Sequence, residues 1–284
     1  MSNAEAAEAT GTEPWTRRTE EAAQLAATFG KRRTDAGEHD RTGGGGREAD
    51  SARITENLAE LTAALGPDLG LTTGTLVRTC ALLRIVAGGC GPTAFALAAR
   101  LASTGEHGNG VGGVSGRAAR LGDHAEAAVL LGLAERAYAL AVADLKERST
   151  GAEQDTPPPA LLPGTQFAVA RMRAALAATT ALLEHCARAE DEGGQHTTRA
   201  DSSVPRVQAA AAAEQVVSAA YERVRGHGGE AERSIARIWQ DLKTGPRTRA
   251  DSPGAHDAYD ADTAAELIGK AAFGIDPAET PRWL

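Results

Sequence analysis

The stretch VPRVQAAAAAEQVVSAAYERVRGHGGEAERSIARIWQDL, residues Val204–Leu242, decides the fold. Its alanine-rich first part has little side-chain entropy to lose, which predicts a helix over 204–224 with Pro205 in the first turn, where a missing N–H is tolerated. The glycines of residues 226–229 should end that helix. A second amphipathic helix is expected to begin at once, with Ile235 and Ile238 on its apolar face. The stretch therefore predicts two helices joined by a glycine turn.

The composition of the whole chain agrees with a helical protein. It has 284 residues with 42% hydrophobic and only 4% aromatic residues, and alanine and leucine favour helices over sheets. A net charge of −8 and a pI of about 5.5 argue against nucleic acid or an anionic membrane surface as the main partner. No apolar run reaches the length of a membrane span, and the N-terminus lacks the basic start and apolar core of a signal peptide.

The cysteines and histidines point to no metal or disulfide framework. Cys80, Cys90 and Cys186 are scattered and odd in number, as is typical of reduced thiols, so we expect a cytoplasmic protein. The seven histidines show no i,i+4 pairing that would aim two at one metal ion, and no P-loop, dinucleotide fingerprint or paired-cysteine zinc pattern is present.

Spacing of apolar residues and breaks by glycine and proline predict an all-α chain. A disordered tail (1–15) should precede an N-terminal helical domain (16–103), a glycine-rich linker (104–122), a C-terminal four-helix bundle (123–274) and a second tail (275–284). The predicted helices span 16–33, 51–65, 73–87, 92–103, 123–148, 165–191, 204–224, a segment after the glycine turn, and 260–273.

These features together resemble the acyl-CoA dehydrogenase-like flavoprotein superfamily. The turn from Arg225 to Gly228 falls on the family's GGxG break, and Gln240-Asp241 falls on its Arg-Asp pair. Half of each motif matches. The resemblance implies an N-terminal helical bundle and a C-terminal up-down four-helix bundle, and it implies FAD as the cofactor.

The resemblance also implies which residues would bind the flavin. Arg148 falls on a family arginine that contacts the flavin pyrophosphate, and Gln166 falls on a glutamine that opens the second helix of the bundle. Gly226, His227 and Gly228 form the turn whose N–H groups could approach the adenosine end, because a glycine turn beside a helix N-terminus is an anion site. The alternative for Arg148 is a helix-terminal cation that stabilises the macrodipole.

Two parts of the family pattern are missing from the sequence. The glycine-rich residues 104–122 stand where the family has an entire β domain, which supplies much of the flavin and acyl-CoA site. Arg249 occupies the position where the family commonly has its catalytic glutamate, and residues 242–250, expected to form a loop, contain no acid. A base would have to come from Glu222, Glu230, Asp251 or a partner subunit.

Three functions are therefore open. The chain could be an active dehydrogenase that oxidises a CH–CH bond of an acyl thioester. It could be a degenerate relative that acts as a partner subunit of a complete acyl-CoA dehydrogenase, which the missing residues favour. It could also be a flavin-dependent monooxygenase of the same fold, with His227 or His256 in place of the glutamate.

The apolar pattern also predicts an oligomer. Helices 123–148 and 204–224 carry apolar residues on more than one face, so they need more neighbours than one four-helix layer offers. We expect a homo- or hetero-oligomer that forms through the C-terminal bundle.

Overall fold

The computed structural model describes residues 3–39, 46–66, 75–104, 114–151, 157–193, 198–250 and 261–275, and no strand occurs among them. The helices are α1 (Asn3–His39), α2 (Gly46–Leu65), α3 (Leu76–Gly89), α4 (Gly91–Thr104), α5 (Val114–Thr150), α6 (Pro163–Asp191), α7 (Arg199–Val224), α8 (Glu230–Ala250) and α9 (Ala261–Ala272), with a 3-10 turn at Pro159–Leu161. The predicted all-α class is confirmed.

Helices α5 to α8 form the predicted up-down bundle. The pair α5 and α7 is central, and α6 and α8 flank it. Helices α3 and α4 pack on the other side of α5, and α1 packs on α3. One continuous hydrophobic core includes Leu83 of α3, Leu131 of α5, Met172 of α6 and Val217 of α7. The N-terminal helices therefore share a core with the bundle.

A buried polar network joins the two central helices. Arg206 of α7 contacts Asp123 of α5 at 3.3 Å and Glu126 at 3.1 Å, and the Ser203 hydroxyl donates to Asp123 at 2.9 Å. The side chains of Arg206, Asp123 and Glu126 are at most 8% exposed. Because a buried charge without a partner is costly, this network fixes the register of α5 against α7.

Several helix ends differ from the predictions. Helix α1 begins at Asn3, so residues 3–15 are not a disordered tail, and their alanine and glutamate residues favour a helix. Helix α5 begins at Val114, so residues 114–122 are not linker, although residues 105–113 lie outside the described part of the chain. The expected loop over 242–250 continues α8 as a helix.

Helix α7 also begins earlier than predicted. A capping box at its start pairs the Thr198 side chain with the backbone N–H of Asp201, while the Asp201 carboxylate accepts from the backbone N–H of Thr198. This cap satisfies two of the free N–H groups at the helix end. Pro205 consequently lies inside the helix and not in its first turn.

Three glycines act as contact points between helices. A Cβ at Gly89 would lie 1.9 Å from the carbonyl oxygen of Ala26, and one at Gly132 would lie 2.4 Å from the carbonyl oxygen of Arg84. A Cβ at Gly245 would meet the Phe95 ring at 2.1 Å. These residues bring α1 to α3, α3 to α5, and α4 to α8 at distances that only glycine permits.

The physical reason for the predicted oligomer does not hold. The second faces of α5 and α7 are covered within the chain, α5 by α3 and α4 and α7 by α9. Helix α6 keeps a broad exposed face. In the described part of the chain, no helix is long and apolar enough to cross a membrane.

Candidate functional site

The residues predicted to bind flavin gather at one end of the bundle, where α5 and α7 end and α6 and α8 begin. Each guanidinium nitrogen of Arg148 on α5 makes a contact there. Its Nε donates to Asp144 at 2.7 Å, one Nη donates to the carbonyl oxygen of Arg223 at 2.9 Å, and the other lies 2.8 Å from Nε2 of His227. Since arginine has no acceptor, the histidine nitrogen accepts this bond. Arg148 thus ties the α7–α8 turn to α5.

The glycine turn between α7 and α8 is an anion site that the chain fills itself. Gly226 and Gly228 take left-handed φ angles of +86° and +66°, which suit glycine. The Gly226 N–H donates to the Glu232 carboxylate at 3.1 Å, and the Gly228 N–H donates to it at 2.8 Å. These backbone donors hold the pKa of Glu232 below its ordinary value. We call residues 225–232 the closed turn.

Gln166 joins the same corner indirectly. Its side-chain nitrogen donates to the carbonyl oxygen of Ala160 at 3.2 Å, and the Ala160 N–H donates to the Ser149 hydroxyl at 2.9 Å. The short 3-10 turn therefore lies between Gln166 and the end of α5. The structure brings Arg148 and His227 into contact and connects Gln166 to them through this turn.

The closed turn does not fit a flavin pyrophosphate. The N–H groups that would receive a phosphate oxygen already bond a carboxylate, and a second anion at that point would be repelled by Glu232. The Arg148 guanidinium already bonds Asp144 and two further acceptors. The residues present therefore satisfy one another.

A separate groove of about 590 Å³ lies between α1, α3, α5 and α8, with the first residue of α4 at its edge. Its apolar walls come from alanines of α1, from Ile85 of α3, from Leu133 and Leu140 of α5, and from Ile238 of α8. Gly30, Gly89 and Gly132 are among the glycines that line it. We call this space the groove.

More cationic than acidic side chains line the groove. The cations are Lys31, Arg33, Arg84, Arg136 and Arg237, and the acids are Glu135, Glu230 and Asp241. Five cations against three acids give a positive balance, in a chain whose net charge is −8. Positive charge beside apolar walls suits an amphipathic anion.

A buried ion pair joins two walls of the groove. Arg33 of α1 makes two bonds to Asp241 of α8, one of them at 2.6 Å, and the Asp241 side chain is 4% exposed. Burial raises the pKa of Asp241 from its ordinary value, and Arg33 opposes that rise. Burial also lowers the pKa of Arg237, with the positive charges of Arg33 and Arg233 acting in the same direction.

The candidate bases lie in different places. Glu230 lines the groove at the start of α8. Glu222 is an exposed residue of α7 with its side chain 63% exposed, and it does not line the groove. Asp251 and His256 lie outside the described residues.

Neither the contact of Glu232 with the turn nor the pairing of Arg33 with Asp241 was predicted from the sequence. An acid three residues after the last turn glycine is a recognisable signal for a helix start that bonds its own N–H groups. No local pattern could have found the other contact, because its two residues are separated by 208 positions.

Comparison with known protein families supports the C-terminal bundle. Residues 124–249, which are 126 of the 284 residues, match the family model described as "Acyl-CoA dehydrogenase, C-terminal domain". The chain is similar to the acyl-CoA dehydrogenases over this bundle. The predicted resemblance is thereby confirmed. No curated protein matches the chain.

Solved structures of acyl-CoA dehydrogenases are also similar to the chain. A glutaryl-CoA dehydrogenase from Mycobacterium smegmatis has 18% identity and a TM-score of 0.47, with 59% of this chain and 39% of that chain covered. Butyryl-CoA dehydrogenase from Megasphaera elsdenii has 23% identity and a TM-score of 0.46, with 56% and 38% covered. A structure titled as the electron transferring flavoprotein of Acidaminococcus fermentans has 21% identity and a TM-score of 0.45, with the same coverage. The chain thus spans about two fifths of the length of these proteins.

Proposed function

We propose that this protein is a degenerate acyl-CoA dehydrogenase relative that acts as a partner subunit of a complete dehydrogenase and holds no flavin of its own. The family lineage comes from the match of residues 124–249. The loss of the cofactor is inferred from the residues of the bundle end.

The observation that carries this proposal is the bond between Glu232 and the turn glycines. Two backbone N–H groups that could bind a phosphate instead bond a carboxylate at 3.1 and 2.8 Å. This bond gives the turn its own counterion, so the helix N-terminus needs no bound anion.

The end of α8 supports the same conclusion. Residues 242–250 contain no acid and continue α8 as a helix. An α-proton of an acyl thioester needs a positioned carboxylate to remove it. No group of that kind stands at the family's position in this chain.

The groove offers a ligand-binding site that a partner subunit could supply to a complete dehydrogenase. Its positive balance and apolar walls suit an acyl thioester, which combines phosphate charges with an aliphatic chain. In the proposed role, the groove holds such a ligand while the complete subunit performs the oxidation.

The experiment compares the purified chain, a complete acyl-CoA dehydrogenase from the same genome, and their mixture. We expect no oxidation of acyl-CoA of any chain length by the chain alone, and a raised Tm or rate of the dehydrogenase in the mixture. An equal amount of the chain with its fold lost by heating serves as the control. Oxidation by the chain alone would refute the proposal.

One observation favours the second candidate, an active acyl-CoA dehydrogenase. Glu230 lines the groove and could serve as the base for a thioester bound there. If that function is correct, Glu230→Gln abolishes turnover while Glu222→Gln, on the exposed surface of α7, leaves it unchanged.

A further inference from the structure

The bond between Arg148 and His227 depends on the charge of the imidazole. A guanidinium nitrogen of Arg148 lies 2.8 Å from Nε2 of His227. Because arginine keeps its charge and offers only donors, Nε2 must be the acceptor and must carry no proton. The imidazole proton is then on Nδ1. A second proton, on Nε2, would remove the acceptor and place two cations at hydrogen-bond distance.

Charged groups from three helices and the turn surround the imidazole. Of the acids, Asp144 already bonds Arg148 at 2.7 Å, and Glu222 lies beside Arg223 at 3.9 Å. This leaves Glu232 as the acid that can attract a charged imidazole. The charged residues on the elements around His227 are Asp144 and Arg148 of α5, Glu222 and Arg223 of α7, Arg225 of the closed turn, and Glu232 and Arg233 of α8.

The Glu232 carboxylate lies beside His227 on the α8 side. It accepts the N–H groups of Gly226 and Gly228, the two neighbours of His227 in the chain. These backbone bonds lower the pKa of Glu232 most, and the charge of His227 acts in the same direction. A carboxylate has about four lone-pair positions, so it can accept a further bond from an imidazolium N–H. A charged imidazole is therefore attracted to α8 and repelled by Arg148 on α5.

We propose that His227 is a pH-sensitive switch between two partners. The neutral imidazole accepts from Arg148 and ties the closed turn to α5. The protonated imidazole leaves Arg148 and pairs with Glu232 inside the closed turn. Histidine is the side chain that normally changes charge between about pH 5 and 8, so the two states exchange near neutral pH. This proposal does not depend on the proposed function.

The surroundings of the imidazole permit this exchange. His227 is exposed, and a Cβ added at Gly226 or Gly228 would have no atom within 4 Å. The two glycines take left-handed φ angles, which few other residues adopt. The ring can therefore turn from one partner to the other without displacing the core.

The switch acts on the connection between α5 and α8. When His227 leaves, Arg148 keeps its bonds to Asp144 and to the carbonyl oxygen of Arg223, so α5 and α7 stay joined. The contact that is lost is the one from α5 to the turn that precedes α8. Glu230 and Ser234 at the start of α8 line the groove. Protonation of His227 thus acts on one wall of the groove from outside it.

A double-mutant cycle between Arg148→Met and His227→Ala tests the first partner. Unfolding equilibrium constants of the full chain are measured by chemical denaturation at pH 8 and pH 5. We expect the two residues to stabilise each other by about fivefold at pH 8 and not at pH 5, where the imidazole is protonated. The matched control replaces His185, an exposed histidine near the far end of α6, and should show no coupling to Arg148 at either pH.

A second cycle, between His227→Ala and Glu232→Gln, tests the other partner. Here we expect the opposite dependence, with a coupling of about twofold at pH 5 and none at pH 8. Glu232 is still ionised at pH 5, because its pKa is lowered from 4.5. A coupling of Arg148 with His227 that is absent at pH 8, or equal at both pH values, would overturn the proposal. A coupling of His227 with Glu232 that does not rise at pH 5 would contradict the second position.

Nitrogen-15 NMR of the imidazole checks the tautomer directly. In the wild type at pH 8 the proton should be on Nδ1, because Nε2 accepts from Arg148. In Arg148→Met this constraint is gone, and the proton should move to Nε2 in a large share of molecules. A wild type with the proton on Nε2 at pH 8 would overturn the switch.

Discussion

The closed turn and the groove are two places in the described part of the chain where a ligand could bind, and they differ in the space and in the balance of charge that they offer. In the closed turn, Glu232 and Arg148 bond groups of the chain itself. In the groove, about 590 Å³ lies between walls that carry more cations than acids. The residues that match the family's cofactor motif are thus in a closed site, while the space is elsewhere.

This difference shows that a motif can persist after its ligand site is lost. A glycine turn at a helix start keeps its shape because the chain needs it to connect α7 to α8, whatever it binds. Space and unbalanced charge have no such role in connecting the chain. We therefore expect ligand binding to depend on the groove and stability to depend on the contacts around it.

The largest effect is expected from breaking the ion pair of the groove. Arg33→Met leaves the Asp241 carboxylate buried without its cation, which should lower the free energy of unfolding by about 3–5 kcal/mol at pH 7. Chemical denaturation measures it. Arg32→Met is the matched control, because Arg32 pairs with Glu60 in a more exposed position and should cost much less.

The pH dependence of that variant follows from Asp241. Without Arg33, burial raises the pKa of Asp241 further above its reference value of 3.8, so the folded state favours the protonated acid. The contribution of Asp241 to the stability of the variant is then greatest at acid pH and falls as pH rises through the raised pKa. A deficit relative to wild type that is the same at every pH would contradict this account.

A smaller loss should follow from widening the contact between α1 and α3. Gly89→Ala puts a Cβ within 1.9 Å of the backbone of Ala26, and we expect a loss of about 1–3 kcal/mol as the helices separate. The adjacent Gly88→Ala has no atom within 4 Å of the new Cβ, so it should stay within about 1 kcal/mol of wild type. Thermal melting of both variants makes the comparison.

The affinity for a ligand should fall when a charge in the groove is removed and should not change when a distant charge is removed. Arg237→Gln is expected to weaken the binding of octanoyl-CoA by about tenfold, since it removes a charged donor from the groove wall. Arg17→Gln removes an equal charge from an exposed position of α1 and should have little effect. Calorimetric titration that gave equal affinities for both variants would contradict a role of the groove.

The smallest expected effect is a pH-dependent change in the amide NMR shifts of the closed turn, caused by titration of Glu232. The amide NMR shifts of Gly226 and Gly228 should follow the Glu232 carboxylate, with a midpoint below the reference pKa of 4.5. A lowered pKa means that the contact is present above this value and is lost as pH falls through the lowered pKa. In Glu232→Gln the shifts should no longer titrate, and a midpoint above 4.5 in wild type would contradict the contact.

Sequence reasoning predicted the helices well and their contacts poorly. The break between α3 and α4 and the bounds of α6 follow from periodicity and from Gly91-Pro92 and Pro163. Two glycine-containing segments, the start of α5 and the residues around Gly245, were predicted to be non-helical and are helical. Local propensity treats glycine as a helix breaker, whereas Gly245 lies within α8 because Phe95 packs against it.

The candidate site shows the same limit. The positions of Arg148 and His227 at one bundle end were predictable from the order of the helices, since neighbouring up-down helices bring alternate ends together. Which partners satisfy these residues was not, because the choice between a bound anion and Glu232 depends on side-chain geometry. The groove was not predictable, because four helices distant in sequence form it.

The most direct test of the central claim is the visible spectrum of the purified chain after incubation with excess FAD and gel filtration. We predict no stoichiometric flavin, because Glu232 bonds the turn N–H groups and Asp144 bonds Arg148, the groups that would hold its pyrophosphate. A complete acyl-CoA dehydrogenase treated in the same way is the positive control. Recovery of the chain with one equivalent of FAD would contradict the account.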